Sequence, residues 1–182
     1  KVIILDPGHG GADAGAISPS GLREKELNLV VALRLKQKLE ALGAEVLLTR
    51  EDDRYLWLYD RVAIANRAGG AVLLSIHANN HDNRKIHGLE IWHHPDRSES
   101  AVLAKALAEA VLARTNQHFR GIMASKDFVL PREAQMPAVI FEMGFVSNQD
   151  EEKLLKTEEF QDKITDGISQ GLIAYFHTPA GQ

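Results

Sequence analysis

Residues 71–76, AVLLSI, form a continuous apolar run rich in branched side chains, and His77 follows directly. A short apolar run that follows Gly69-Gly70 is typical of a strand buried on both faces of a parallel sheet. Further apolar runs that predict strands stand at residues 2–5, 45–49, 88–93 and 138–143.

Amphipathic segments alternate with these runs. In residues 24–42, apolar side chains recur at helical spacing from Leu27 to Leu42, and Gly43 is placed as a C-terminal cap. Residues 56–68, 100–114 and 158–176 show similar helical patterns, whereas 121–137 look irregular. The alternation predicts one α/β domain, with a mostly parallel or mixed central sheet of five or six strands and helices on both faces. We expect the domain to span residues 1–177 and residues 178–182 to form a flexible tail.

The composition excludes several classes of function. The formal charge is −4 and the Lys and Arg residues form no cluster beyond pairs, so we expect no nucleic-acid partner. No apolar run approaches the roughly 18 residues that a membrane-spanning helix needs, so we expect no membrane insertion. The chain has no cysteine, which excludes disulfides and thiolate metal sites. It begins at Lys1 rather than Met, so we expect it to be trimmed from a longer protein.

Three polar side chains stand at or near the ends of predicted strands. His9 lies in LDPGHGG after the first strand, His77 follows the third, and Glu142 interrupts the apolar run VIFEMGF. Ligands collect at the carboxyl ends of parallel strands, so these residues are candidates for a common site. The alternatives are a surface role for each histidine and, for Glu142, a structural ion pair with an arginine.

Glu24 is a fourth candidate, only 15 residues after His9 and across a loop rich in Gly, Ser and Pro. Two imidazoles and one carboxylate form the ligand set of a catalytic zinc ion with one position left for water. The alternative is that Glu24 only stabilises the positive end of its helix. His93 and His94 are adjacent on a predicted strand and point to opposite faces, so they do not form a second site.

Four stretches together carry a family resemblance: DPGHGG (6–11), GLREKELNL (21–29), LLSIHANN (73–80) and MPAVIFEMGFVSN (136–148). With LTRxxD at residues 48–53, the chain resembles the zinc-dependent N-acetylmuramoyl-L-alanine amidases over almost its whole length. The resemblance implies that His9, Glu24 and His77 hold one Zn²⁺ ion and that Glu142 is the catalytic base and acid. Glu26 and Pro131 depart from residues that the family often has.

The resemblance also implies a substrate and a setting. It implies hydrolysis of the amide between the lactyl group of N-acetylmuramic acid and L-alanine in peptidoglycan, by zinc-activated water. Location in the periplasm or at the cell wall outside the cell follows from that substrate. We expect a monomer, and an activator protein or targeting domain in the full-length protein. Only about 23 residues separate Arg114 from Ala138, too few for the long autoinhibitory helix of some relatives, so we expect an open cleft.

Supporting roles and rival functions remain open. Asp6 either orients an imidazole or starts a turn, and Asn79 and Asn80 either bind substrate or form a turn. Arg61, Arg120 and Arg132 are candidates for contacts with carboxylates of the stem peptide, or are surface charges. The rival functions are a zinc peptidase or other amidase with the same ligands, and a catalytically silent domain that binds or regulates at the cell wall.

Overall fold

The computed structural model describes all 182 residues and has one six-stranded mixed sheet at its centre. The strand order is β2-β1-β3-β6-β4-β5, and every pair is parallel except β4 with β6. The predicted α/β class with a mixed sheet is therefore confirmed. The strands are β1 (Val2–Pro7), β2 (Glu45–Leu48), β3 (Val72–Asn79), β4 (Leu89–His93), β5 (Phe119–Ala124) and β6 (Ala138–Phe145).

Six α-helices cover the two faces of this sheet. Helices α1, α2, α3 and α6 agree with the amphipathic segments of the sequence to within two residues at each end. The helices are α1 (Glu24–Ala41), α2 (Leu58–Arg67), α3 (Ser98–Thr115), α4 (Val129–Glu133), α5 (Gln149–Leu155) and α6 (Glu158–Phe176). None of them is long and apolar enough to cross a membrane.

The two faces are covered very unequally. On one, which we call the broad face, α1, α3 and α6 pack on the sheet in a cluster of 30 buried apolar residues. On the other, the narrow face, only α2 and α4 contribute helical residues to a cluster of 8. The narrow face therefore has much less apolar packing than the broad face.

Side chains on the narrow face change character along each strand. Because strand side chains alternate, Ile4 and Asp6 share this face, as do Leu73, Ser75 and His77. The first member of each set is apolar and packs under the short helices, and the later members are polar. This change from apolar to polar along the strands positions the candidate site.

Residues 119–124 contradict the irregular structure expected after Arg120. They form the edge strand β5, which pairs in parallel with β4. Gly121 (φ 139°) lies at a register shift between β4 and β5, and most side chains of the strand are only partly buried, so neither apolar alternation nor a strong strand propensity marked it in the sequence. The remainder of the segment between α3 and β6 holds only the five-residue helix α4, so no long helix is present there.

The charged run Glu151-Glu152-Lys153 by itself predicts solvent-exposed side chains, which is wrong for Glu151 and Glu152 on α5, a helix that is not among those predicted. Both are buried: a Glu151 carboxylate oxygen accepts a hydrogen bond from the backbone N–H of Phe145 (2.7 Å), and Glu152 accepts one from Ser18 Oγ (2.5 Å). At the C-terminus, Pro179–Gly181 form a 3₁₀ turn, and the Tyr175 hydroxyl donates to the carbonyl of Ala180 (2.9 Å).

Candidate metal centre

The His9 loop leaves β1 in an unusual backbone conformation. His9 has φ 61°, a left-handed conformation that side chains other than glycine rarely adopt, and Gly10 and Gly11 follow with φ 135° and 58°. Two buried arginines hold the loop: Arg61 donates to the carbonyls of Pro7 and His9, both at 2.7 Å, and Arg50 donates to those of Pro7 and Gly8, both at 2.9 Å. The surrounding structure therefore fixes the strained loop.

Two glycines allow the candidate side chains to approach the backbone. A Cβ atom on Gly8 would lie 2.1 Å from Cε1 of His77, and one on Gly15 would lie 2.6 Å from both Oε2 of Glu24 and Cδ2 of His9. Glycine has no side chain, so the glycines of residues 8–11 leave space around an imidazole. The structure shows that the space at Gly8 is taken by His77 rather than by His9.

The structure brings His9, Glu24 and His77 together. Glu24 Oε1 lies 2.9 Å from Nδ1 of His77, and Glu24 Oε2 lies 3.2 Å from Nε2 of His9. One ligand atom from each of the three residues lies within 4.8 Å of the others. The two imidazole rings stand edge to face, with their centroids 5.0 Å apart. Residues from a loop, a helix and a strand thus converge on one point.

Glu24 is the first residue of α1, so it has the expected helix-terminal position as well as contact with both histidines. Its Oε2 accepts a hydrogen bond from the N–H of Ala16 (2.8 Å), and its Oε1 accepts one from the N–H of Ala78 (3.2 Å). Burial opposes ionisation, but the hydrogen bonds from His77 and His9 outweigh it and hold the pKa of Glu24 far below its ordinary value. The carboxylate is therefore ionised and fixed in place.

The carboxylate raises the basicity of both imidazoles. Burial alone would lower the pKa of His9, but its hydrogen bond and charge interaction with Glu24, helped by Asp13, raise that pKa to about 9. The pKa of His77 is raised by the same carboxylate and by the charge of Glu142, again against burial. Both rings are therefore basic, which also makes them strong metal donors once deprotonated.

Glu142 lies within β6, directly beside His77 of β3 in the parallel register. Its Oε2 is buried and has no hydrogen-bond partner. Burial, reinforced by the charges of Glu24 and Glu90, raises the pKa of Glu142 from 4.5 to about 7 despite the nearby His77. The alternative of an ion pair with an arginine is not what the structure shows, because Arg120 Nε binds Glu90 instead (2.6 Å).

Comparison with known proteins identifies the family of the chain. A family model described as N-acetylmuramoyl-L-alanine amidase matches residues 3–174. The chain belongs to this amidase family. AmiA of Escherichia coli K12, an N-acetylmuramoyl-L-alanine amidase, is 31% identical to this amidase over an alignment of 222 positions. The alignment covers 97% of the chain and 76% of AmiA.

Solved structures agree with this assignment. The catalytic domain of the amidase CwlV from Bacillus (Paenibacillus) polymyxa var. colistinus is 37% identical and superposes with a TM-score of 0.92, covering 97% of this amidase and 98% of that chain. The CwlD amidase of Clostridioides difficile, solved in complex with the GerS lipoprotein, is 33% identical with a TM-score of 0.93 and coverages of 97% and 98%. The resemblance inferred from the sequence motifs is thereby confirmed.

Asp13 is a supporting residue of the amidase that the sequence analysis missed. Its Oδ2 lies 2.8 Å from Nδ1 of His9, and its Oδ1 accepts a hydrogen bond from the N–H of Gly15 (3.0 Å). A carboxylate on the second ring nitrogen commonly orients a metal-binding histidine. The signal in the sequence was an aspartate four residues after the histidine within the same glycine-rich loop.

Asp6 has neither of the two roles expected for it. Its carboxylate is buried on the narrow face and accepts hydrogen bonds from Thr49 Oγ1 (2.6 Å), Ser75 Oγ (2.7 Å) and Arg61 Nη1 (2.8 Å). The charge of Arg61 and these hydrogen bonds keep the pKa of Asp6 below its ordinary value although burial acts in the opposite direction. Asp6 reaches an imidazole only indirectly, because Ser75 Oγ also lies 3.1 Å from Nε2 of His77.

The other polar candidates are engaged within the chain. Arg61 is fully buried in the contacts described above, so it is not available to a stem peptide. Arg132 pairs with Glu133 (2.8 Å). Asn79, the last residue of β3, donates to Glu90 (3.0 Å) and accepts from the N–H of Asn80 (2.8 Å).

The donor set of this amidase fits a catalytic divalent metal ion. Two imidazole nitrogens and one carboxylate oxygen are the ligands that Zn²⁺ binds when a further position is left for water or substrate. A cavity of about 280 Å³ opens beside them and is lined by His9, His77 and Asp13 together with Tyr55, Leu58 and Leu130. The side chains of His9 and His77 remain 26% and 20% exposed, so both can be reached from solvent.

Proposed function

We propose that this chain hydrolyses the amide between the lactyl group of N-acetylmuramic acid and the L-alanine of the stem peptide in peptidoglycan. The observation that carries the proposal is the convergence of His9, Glu24 and His77, within 4.8 Å, in a member of the N-acetylmuramoyl-L-alanine amidase family. One Zn²⁺ ion would be held by these three residues. When bound, such an ion lowers the pKa of water and polarises a carbonyl oxygen.

Glu142 moves the proton in this proposal. Its buried Oε2 has no other partner, and a pKa of about 7 lets the group take up and give back a proton near neutrality. The Glu142 carboxylate accepts the proton of the attacking water and returns it to the alanine nitrogen, which is a poor leaving group unless protonated. The register of β3 and β6 places this carboxylate beside His77, next to the donor set.

Two other residues position the donors. Asp13 Oδ2 holds Nδ1 of His9, which leaves Nε2 directed towards Glu24 and the convergence point. Ser75 Oγ lies between Asp6 and His77 and links the ring to the buried ion pair. These contacts fix which nitrogen of each ring is free, which is the usual work of groups behind a metal ligand.

Zinc analysis followed by digestion of purified muropeptides tests the proposal. We expect one zinc per chain and release of intact stem peptides that begin with free alanine, identified by mass spectrometry. Cleavage between amino acids would identify a peptidase instead, and zinc-independent binding without cleavage would identify a silent cell-wall domain.

The variant Glu142→Gln tests the catalytic role separately. We expect about a 10³-fold fall in kcat/KM with zinc still bound, because proton transfer by a positioned group contributes on the order of 10²–10⁴-fold. Glu133→Gln, on the surface, is the matched control and should keep full activity. Retained activity in Glu142→Gln would mean that another group moves the proton.

The setting of the enzyme follows from the proposed substrate. We propose that residues 1–177 form the catalytic domain, acting as a monomer in the periplasm or at the cell wall outside the cell. The cleft is open in this proposal, because the segment between α3 and β6 contains only β5 and the short helix α4. The solved complex of CwlD with a lipoprotein supports an activator as a partner of this chain too. Turnover by the purified chain alone, compared with turnover in extracts, tests that need.

A further inference from the structure

An exposed aromatic segment borders the candidate metal centre. Residues 55–59 read YLWLY, and four of them expose large apolar side chains: Tyr55 by 42%, Trp57 by 68%, Leu58 by 51% and Tyr59 by 62%. The rings of Tyr55 and Trp57 meet edge to face, 5.3 Å apart. So much apolar surface in consecutive residues is unfavourable in water and marks an interaction surface.

This segment, which we call the aromatic lip, is continuous with the cavity of the metal centre. Tyr55, Leu56 and Leu58 line that cavity together with His9 and His77. Whatever occupies the lip therefore lies next to whatever occupies the centre. The substrate of the proposed reaction offers two candidates, the glycan on one side of the scissile amide and the stem peptide on the other.

The lip is fastened to the His9 loop. A Cβ atom on Gly11 would lie 2.7 Å from the backbone nitrogen of Tyr55, so the two backbones touch. The Arg61 guanidinium donates to the carbonyls of both His9 (2.7 Å) and Leu56 (3.3 Å). The N–H of Gly11 donates to Asp53 Oδ1 (2.8 Å). A ligand on the lip is thus held at a fixed position relative to the donors.

Charge distinguishes the two candidates. Three of the four carboxylates in residues 51–60 are paired with a cation: Glu51 with Lys36 (2.5 Å), Asp52 with Arg54 (2.5 Å) and Asp53 with Lys25 (2.7 Å). Arg132, beside the Tyr59 hydroxyl, is paired with Glu133. The cations around the lip are therefore already engaged, and a stem peptide rich in carboxylates would find no free charge partner here. Uncharged N-acetylated sugars need none, and their rings present apolar C–H faces that pack on aromatic side chains while hydroxyl groups stay in water.

We propose that the aromatic lip is a glycan subsite, in which Trp57 and its neighbours pack against the sugar rings of the peptidoglycan strand. This inference rests on the proposed function, because it places the glycan side of the amide at the lip. Trp57 is suited to the contact because it is the most exposed of the four side chains.

Calorimetric titration with a β-1,4-linked N-acetylglucosamine tetramer tests the subsite without any hydrolysis. We expect the wild type to bind the tetramer, Trp57→Ala to bind about tenfold more weakly, and Trp57→Phe to recover part of the loss. Trp57 makes no side-chain capping bond to α2, so folding should not depend on it. Leu42→Ala, a change at a 60% exposed apolar residue at the end of α1, is the control and should bind like the wild type.

Three outcomes would overturn the inference. The first is that the wild type does not bind the tetramer, and the second is that Trp57→Ala binds it as tightly as the wild type does. The third is that Trp57→Ala loses affinity for an isolated stem peptide but not for the tetramer. Muropeptide digestion separates this failure from that of the proposed function. Cleavage at the lactyl amide without tetramer binding overturns only the glycan subsite. Binding that depends on Trp57, without such cleavage, supports the subsite and overturns the proposed reaction.

Discussion

The broad and narrow faces of the sheet differ in what they bury and in what they expose. The broad face packs α1, α3 and α6 in a cluster of 30 buried apolar residues, whereas the narrow face has 8 and carries the polar site. Burial of apolar surface is the main favourable term in folding, so most of the stability comes from the broad face. The narrow face can then hold buried charges, a strained loop and an unpartnered carboxylate.

The largest expected effect on stability concerns the buried ion pair of Asp6 and Arg61 on the narrow face. We expect Arg61→Met to lower the free energy of unfolding by about 4 kcal/mol, because it leaves the Asp6 carboxylate buried and unpaired. Chemical denaturation measures the change. Arg67→Met, at an exposed residue of the same helix, should change stability by less than about 0.5 kcal/mol. A small loss in Arg61→Met would show that the narrow face does not depend on the pair.

A core truncation on the broad face should affect stability without affecting the site. Leu107 is fully buried between α3 and α6, and a Cβ atom on Gly171 would lie only 2.8 Å from its Cα, so the helices pack closely there. We expect Leu107→Ala to cost about 3 kcal/mol by denaturation. Activity per folded molecule should stay at the wild-type level. A matching loss of activity would mean that the two faces are coupled.

The pH dependence of stability should also distinguish the narrow face from the broad face, because ionisation of Glu142 on the narrow face costs free energy in the folded state. Its folded pKa of about 7 exceeds its ordinary value of 4.5, so metal-free protein loses stability as the pH rises between these values. Glu142→Gln should remove that loss and be on the order of 2 kcal/mol more stable than the wild type at pH 8. The two should be equally stable near pH 4. Thermal unfolding in EDTA measures both, and a difference that does not change with pH would contradict the raised pKa.

The smallest expected effect is a proton count. At pH 7 the pKa of about 9 keeps His9 protonated without metal, and the pKa of His77 is also raised. Zinc binding should therefore release more than one proton per ion. Calorimetry in buffers of different ionisation enthalpy measures the number. Asp13→Asn should lower it, because the pKa of His9 falls when this carboxylate is neutralised. A binding enthalpy independent of buffer would contradict the prediction.

The sequence predicted the strongly patterned elements and missed those whose pattern is weak. Helix α6 matches the predicted residues 158–176, because a long amphipathic period is a strong signal. Strand β5 was missed because it is a short, partly exposed edge strand with a glycine, Gly121, in its middle. Helix α5 was missed because Glu151 and Glu152 resemble surface charges, and their buried partners come from distant segments.

The candidate site shows the same limit. The motifs singled out His9, Glu24 and His77, which the structure brings together. The role of Asp6 was mistaken, because its partners Thr49 and Arg61 lie 43 and 55 residues away in sequence. Several polar groups can lie near a carboxylate at a strand end. Which of them bind Asp6 depends on how α2 packs on the narrow face, and the sequence pattern does not give that packing.

Gly8 carries no reactive group, yet the ring of His77 occupies the space where its side chain would stand. Any replacement, even alanine, would push that imidazole out of line with its two partners. In a library of all single substitutions selected for lysis of cell walls, this position should tolerate as little as the histidines do. A residue that offers no ligand atom would then be as constrained through evolution as the candidate metal ligands.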